Sequence, residues 1–127
     1  MKNIFITALL FATISIFSQN NTCSNFKTGE FKFANPKYSE WIVIRNDSVQ
    51  VEISNKSGME IFSSIEWTND CNFILTCYKV LNADKKNIIG KVFNVTINET
   101  YIDSYKCVTN STNYQMKELE LEMIKLK

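Results

Sequence analysis

Short runs that alternate apolar with polar residues fill most of the chain beyond residue 28. Val49, Val51 and Ile53 alternate with Gln50 and Glu52. Met59, Ile61, Ile65 and Trp67 share one parity, with Glu60 and Glu66 on the other. Phe73, Leu75 and Cys77 alternate with Asn72 and Thr76, and Phe93, Val95 and Ile97 with Asn94 and Thr96. Period two sends successive side chains to opposite faces, so each run reads as a half-buried β-strand. β-Branched and aromatic residues dominate the runs, as a pleated surface favours. The pattern predicts eight strands, over residues 28–34, 39–46, 48–54, 59–68, 71–81, 88–98, 100–109 and 114–126. Asn46-Asp47, Ser57-Gly58 and Asn69-Asp70 supply short turns, and residues 84–87 a looser polar loop. Strands joined by short turns are antiparallel neighbours. The expected fold class is therefore all-β, an eight-strand antiparallel meander closing into a small up-and-down barrel without exposed edges.

Two segments leave an alternative open. Leu119, Leu121 and Met123 alternate with Glu118, Glu120 and Glu122, which argues for a strand. Met116, Leu119, Met123 and Ile124 also fit one helical face, and Lys, Glu, Leu and Met favour helix. A C-terminal helix would turn the barrel into an open sheet with a helix against it; the strand is the preferred reading. Residues 39–46 and 71–81 carry apolar side chains on both parities. Ile42, Ile44, Ile74, Tyr78 and Val80 lie opposite Val43, Phe73 and Leu75. If exposed, that second parity is an apolar patch of the kind that marks an interaction surface.

The first residues have a different character. Met1-Lys2-Asn3 is followed by an uncharged, mostly apolar run from Ile4 to Phe17, with Ser18 small enough to precede a cut. This is the pattern of a secretory signal peptide, and the run is too short to span a bilayer. The reading divides the chain into residues 1–18, a signal peptide, and residues 19–127, a single β-meander domain with no transmembrane segment. Secretion or a periplasmic location follows from it. The chain has 14 basic and 13 acidic residues. Lys2 leaves with the signal, so the exported part is balanced, and a nucleic-acid partner, which would call for basic excess, is not expected.

Four cysteines, Cys23, Cys71, Cys77 and Cys107, all lie in the exported part. An even count in a small exported domain reads as two disulfides. Alternate strands of a meander start at one end, so Cys23 and Cys71 lie together there, and Cys77 and Cys107 lie towards the other. Cys71 and Cys77 are about 20 Å apart along a straight strand, too far to bridge. The expected pairs are Cys23–Cys71 and Cys77–Cys107.

Chemistry is constrained by what the composition lacks. Without histidine no Ser-His-Asp or Cys-His site can form within the chain. Gly29, Gly58 and Gly90 are isolated, so no phosphate loop is present. No close cysteine pair suggests zinc. Glu60 and Glu66 are about 20 Å apart on one strand, beyond the reach of a glycosidase pair. Catalytic residues, cofactor and metal are therefore not expected, and the chain is not read as an enzyme. Trp41 and Trp67 are candidates for lining a ligand pocket, against the ordinary role of aromatic residues in a core.

The stretch from Cys23 to Ser48 contains Phe26-Lys27-Thr28-Gly29-Glu30-Phe31 and Trp41-Ile42-Val43-Ile44-Arg45-Asn46-Asp47-Ser48. Ser64-Ile65-Glu66-Trp67-Thr68-Asn69-Asp70-Cys71 follows, then Leu75-Thr76-Cys77. Together these resemble an uncharacterised family of small exported Gram-negative bacterial β-proteins, and the resemblance covers most of the exported part. Members can carry a DNA topoisomerase IV label. That label does not fit a short, exported, charge-balanced chain with no phosphate loop. In architecture alone, an exported eight-strand meander is similar to the lipocalin-like barrels, an analogy of fold rather than function.

Two functional readings remain. The first is a protein-interaction or accessory module of the bacterial envelope with an unknown protein partner. The alternative is a carrier of a small apolar ligand in a lipocalin-like barrel. A filled interior favours the first; an aromatic-lined cavity of about 300 Å³ or more favours the second.

Overall fold

All eight expected strands form, and each hydrogen-bonds to the next in sequence order. They are β1 (Gly29–Phe33), β2 (Trp41–Arg45), β3 (Val49–Ser54), β4 (Glu60–Asn69), β5 (Asn72–Leu81), β6 (Val92–Thr100), β7 (Ser104–Ser111) and β8 (Leu119–Lys125). The computed structural model describes residues 22–84 and 86–127. The predicted signal peptide, residues 1–18, lies outside the described residues. β8 pairs with β7 and also with β1, through Lys32 opposite Ile124 and Phe33 opposite Met123, and so closes the barrel. The C-terminal segment is thus a strand, although its residues suit a helix. Two unpaired strand edges, β1 and β7, need its backbone groups, and that demand outweighs a weak local propensity. It begins at Leu119 rather than at 114.

Side-chain asparagines and serines set the turns. Asn46 Oδ1 accepts from the backbone N–H groups of Ser48 and Val49 between β2 and β3. Asn69 Oδ1 accepts from Cys71 N–H between β4 and β5. Ser54 Oγ accepts from Lys56 and Ser57 N–H after β3. These local bonds offer the backbone a turn in place of a longer ladder.

The two ends of the barrel differ. At one end a 3₁₀ turn, Cys23–Phe26, folds under the strands as a plug. Phe26 is fully buried and packs on Tyr105, with ring centroids 5.1 Å apart. The plug is held by the Cys23–Cys71 disulfide, by Lys125 Nζ on the Asn25 carbonyl at 2.7 Å, and by a Lys27–Asp70 ion pair at 3.0 Å. Phe31, Val43, Ile65, Phe73, Leu75, Val95, Ile97 and Met123 form the core above it. The opposite end carries the loops with Pro36–Tyr38, residues 86–88 and residues 112–118.

The structure corrects the second expected disulfide. Cys77 and Cys107 are free, buried thiols. β6 lies between their strands, so two strand spacings of about 4.8 Å separate the backbones. That exceeds the roughly 7 Å Cα limit for a bridge.

β3 has the expected period with an unexpected orientation. Its register places Gln50 opposite Arg45 and Ser63, and Glu52 opposite Val43 and Ile61. Val43 and Ser63 are buried inside the barrel, so Gln50, Glu52 and Ser54 point inward while Val49, Val51 and Ile53 point out. Elsewhere the apolar parity faces in, as the alternation predicts.

Candidate functional site

The interior is not filled. A cavity of about 320 Å³ runs from the plugged end to the loop end, with Arg45, Gln50 and Tyr105 among its deep residues and Phe33, Tyr38, Trp41, Ile88, Met116 and Leu119 near the loops. The cavity is not enclosed, and Leu119, which lines it at the loop end, is 36% exposed. Its walls are mostly apolar and aromatic because β5, β6 and β8 turn Phe73, Leu75, Phe93, Val95 and Leu121 inward.

The polar part of the wall comes from β2, β3 and β4. Arg45, the last residue of β2, is only 4% exposed. Burying a guanidinium is costly unless its donors are used. Here Nε donates to Gln50 Oε1, one terminal nitrogen to the Phe26 carbonyl and the other to Tyr105 Oη, each at 2.8 Å. Phe31 and Phe73 lie 4.6 and 4.8 Å from its carbon, which adds cation–π attraction to the packing. Arg45 therefore ties together the plug, β3 and β7. Among the described residues no carboxylate forms an ion pair with it.

Glu52 stands one inward step along β3 from Gln50. It is half-buried, and the part it exposes lines the cavity rather than the outer surface. Burial pushes its carboxyl above the ordinary value; the Arg45 charge and a hydrogen bond with Gln50 offset part of that rise. Burial also raises the Tyr105 hydroxyl and the Cys77 thiol, and it pushes the Cys107 thiol up to about 11. Both thiols face the cavity and stay protonated at neutral pH, which makes them poor nucleophiles.

The structure separates the sequence candidates. Trp41 lines the cavity; Trp67 does not, lying instead towards the plugged end against Phe73, with ring centroids 4.5 Å apart, and under Lys27 Nζ. The five residues of the proposed patch do not share one surface. Ile42 and Ile44 face outward on β2 beside Ile53 and Val51 of β3, and Val51 pairs with Phe62. Tyr78 joins this outer stripe through its ring contact with Phe62. Ile74 lies apart, between Glu66 and Asn94. Val80 turns inward beside Ile61, because the strand register shifts at Tyr78.

Arg45, Gln50, Glu52 and Tyr105 were not singled out from sequence. An alternating run whose apolar residues face out looks the same as one whose apolar residues face in. The available signal was weak: Ile42 and Ile44 already crowd the outer parity of β2, next to a strand with the same choice to make. Comparison with protein families, curated proteins and solved structures gave no match. Among the described residues no helix is long and apolar enough to cross a membrane.

Proposed function

We propose that this protein is an exported carrier that holds a small, largely apolar molecule inside its barrel. The cavity of about 320 Å³ carries the reading. A small eight-strand barrel can fill its interior with side chains, and this one leaves space open to solvent. The volume sits at the lower end of the range for ligand pockets, roughly 300–1,000 Å³, which suits a medium alkyl chain or a bicyclic aromatic. The plug and its disulfide close one end, so a ligand would enter and leave between the loops at the other. The disulfide is compatible with an oxidising, exported location. Protonated interior thiols and the absence of histidine favour binding without turnover.

An uncharged naphthyl dye is expected to bind saturably, with a fluorescence rise, and to be displaced by decanol. Thr109 lines the cavity, so Thr109→Trp should place an indole in the space and abolish binding while the circular dichroism stays that of the barrel. No saturable dye binding up to millimolar concentration would end the carrier reading.

The outer stripe of Ile42, Ile44, Val51, Ile53, Phe62 and Tyr78 supports the second reading, an interaction module of the envelope. Ile44 and Tyr78 are 43% and 49% exposed. Replacing both with serine should leave the melting temperature nearly unchanged and abolish capture of a partner if one docks there. Loss of several kcal/mol would instead mark a packed face.

A further inference from the structure

We infer that Glu52 is the head-group anchor of the cavity, and that the carried molecule is an apolar amine. The inference rests on the carrier reading above and deepens it. Among the described residues two charged side chains border the cavity, Arg45 and Glu52, and they differ in what they can still do.

Arg45 is engaged. Three of its five N–H donors already have protein acceptors, the rings of Phe31, Phe73 and Tyr105 lie around it, and 4% of its surface remains open. An anionic head group would find two donors left on a side chain that is almost wholly covered, and a bidentate grip would compete with Gln50 or Tyr105. Glu52 is open to the cavity. Its neighbours across the sheet are Val43 and Ile61, and hydrogen bonding with Gln50 offsets part of the rise in its carboxyl pKa. Arg45, Gln50, Ser63, Cys77, Tyr105 and Cys107 share the cavity with it, with Tyr38 near the loops. None of the ion pairs among the described residues involves Glu52. A desolvated carboxylate without an ion-pair partner is costly, and a bound ammonium would supply that partner. The elevated carboxyl pKa reports the same incomplete compensation.

The rest of the wall suits such a ligand. Phe33, Trp41 and Phe93 line the cavity and, among the described residues, make no cation–π contact with a side chain. Aromatic faces attract a desolvated cation as it passes or rests against them. A carboxylate head group would meet Glu52 as a like charge, and an alcohol would gain a hydrogen bond without charge.

The test is a head-group series of one chain length, measured by calorimetry on the disulfide-bonded protein: decylamine, decanol and decanoate at neutral pH. Decylamine is expected to bind at least tenfold more tightly than decanol, with decanoate weakest. Glu52→Gln should remove the advantage of the amine and leave decanol affinity within about twofold. Because burial raises the Glu52 carboxyl, an ammonium that favours its charged form should release protons on binding over the pH range in which that carboxyl titrates, read as a dependence of the heat on buffer ionisation enthalpy. Tightest binding of decanoate would assign the anchor to Arg45 and overturn the inference, as would an amine preference that survives Glu52→Gln. Equal affinities would overturn it while leaving the carrier reading intact. If none of the three binds, both fail together.

Discussion

Arg45 and Glu52 make opposite bargains with the barrel interior. Arg45 is buried with three donors used and aromatic rings around it; Glu52 is half-buried with partial compensation. The sign of the consequence follows from proton linkage. A carboxyl whose folded pKa lies above its unfolded one binds more protons in the folded state over that interval, so stability falls as pH rises through it. Below the ordinary carboxylate pKa both states are protonated and the penalty is absent. Glu52→Gln should therefore match the wild-type Tm near pH 3. It should exceed it increasingly as the pH rises through the folded-state pKa. Equal Tm values across that range would show the carboxyl to be fully compensated. Arg45→Met should cost about 3–5 kcal/mol in urea unfolding, because it strands Gln50, the Phe26 carbonyl and Tyr105 and removes the charge nearest Glu52. Adding Glu52→Gln should recover part of that loss, and a double-mutant cycle would read the coupling. Strict additivity would deny that the two charges sense each other.

The plug and the strand order behave as separate units. The Cys23–Cys71 bridge spans 48 residues and ties the 3₁₀ turn to the β4–β5 turn. In the chain-entropy model a loop of that length contributes about 4 kcal/mol. Cys23→Ser with Cys71→Ser should lose stability on that scale and speed amide exchange at Phe26 and Arg45 before the β4–β5 ladder opens. The free pair makes a different prediction. Cys77 and Cys107 are buried and held protonated, so a thiol reagent should count none rapidly in the native protein and two after denaturation without reductant. A count of zero in the denatured protein would restore the second disulfide.

For the molecule as a whole, an open cavity means that stability and occupancy are linked. A ligand that binds only the folded barrel stabilises it by about 2.7 kcal/mol at one hundred times its Kd. Decylamine at that concentration should raise Tm by several degrees in the wild type and not in Thr109→Trp. An equal rise in both proteins would place binding outside the cavity. Closure matters to this linkage, because β8 joins β1 and β7 around the space. An open sheet would have offered the same side chains as a surface rather than a pocket.

The alternation in β3, β4, β5 and β6, with Asn46-Asp47, Ser57-Gly58 and Asn69-Asp70 as short turns, pointed to strands in sequence order with antiparallel pairing. Those properties are local: each depends on a period of two and on turn residues a few positions away. The Cys23–Cys71 bridge was readable for the same reason, since strand order alone decides which ends meet. What lay beyond the sequence depended on contacts between distant strands. The C-terminal segment, preferred as a strand on its alternation, was decided against a helix by two edges that needed pairing. The face of β3 could not be read from its own residues, since a period has no inside or outside until neighbouring strands supply one. Arg45 on β2 and Ser63 on β4 supplied it, drawing Gln50 and Glu52 inward. The charged wall of the cavity follows from that choice, and so does the chemistry a ligand would meet there.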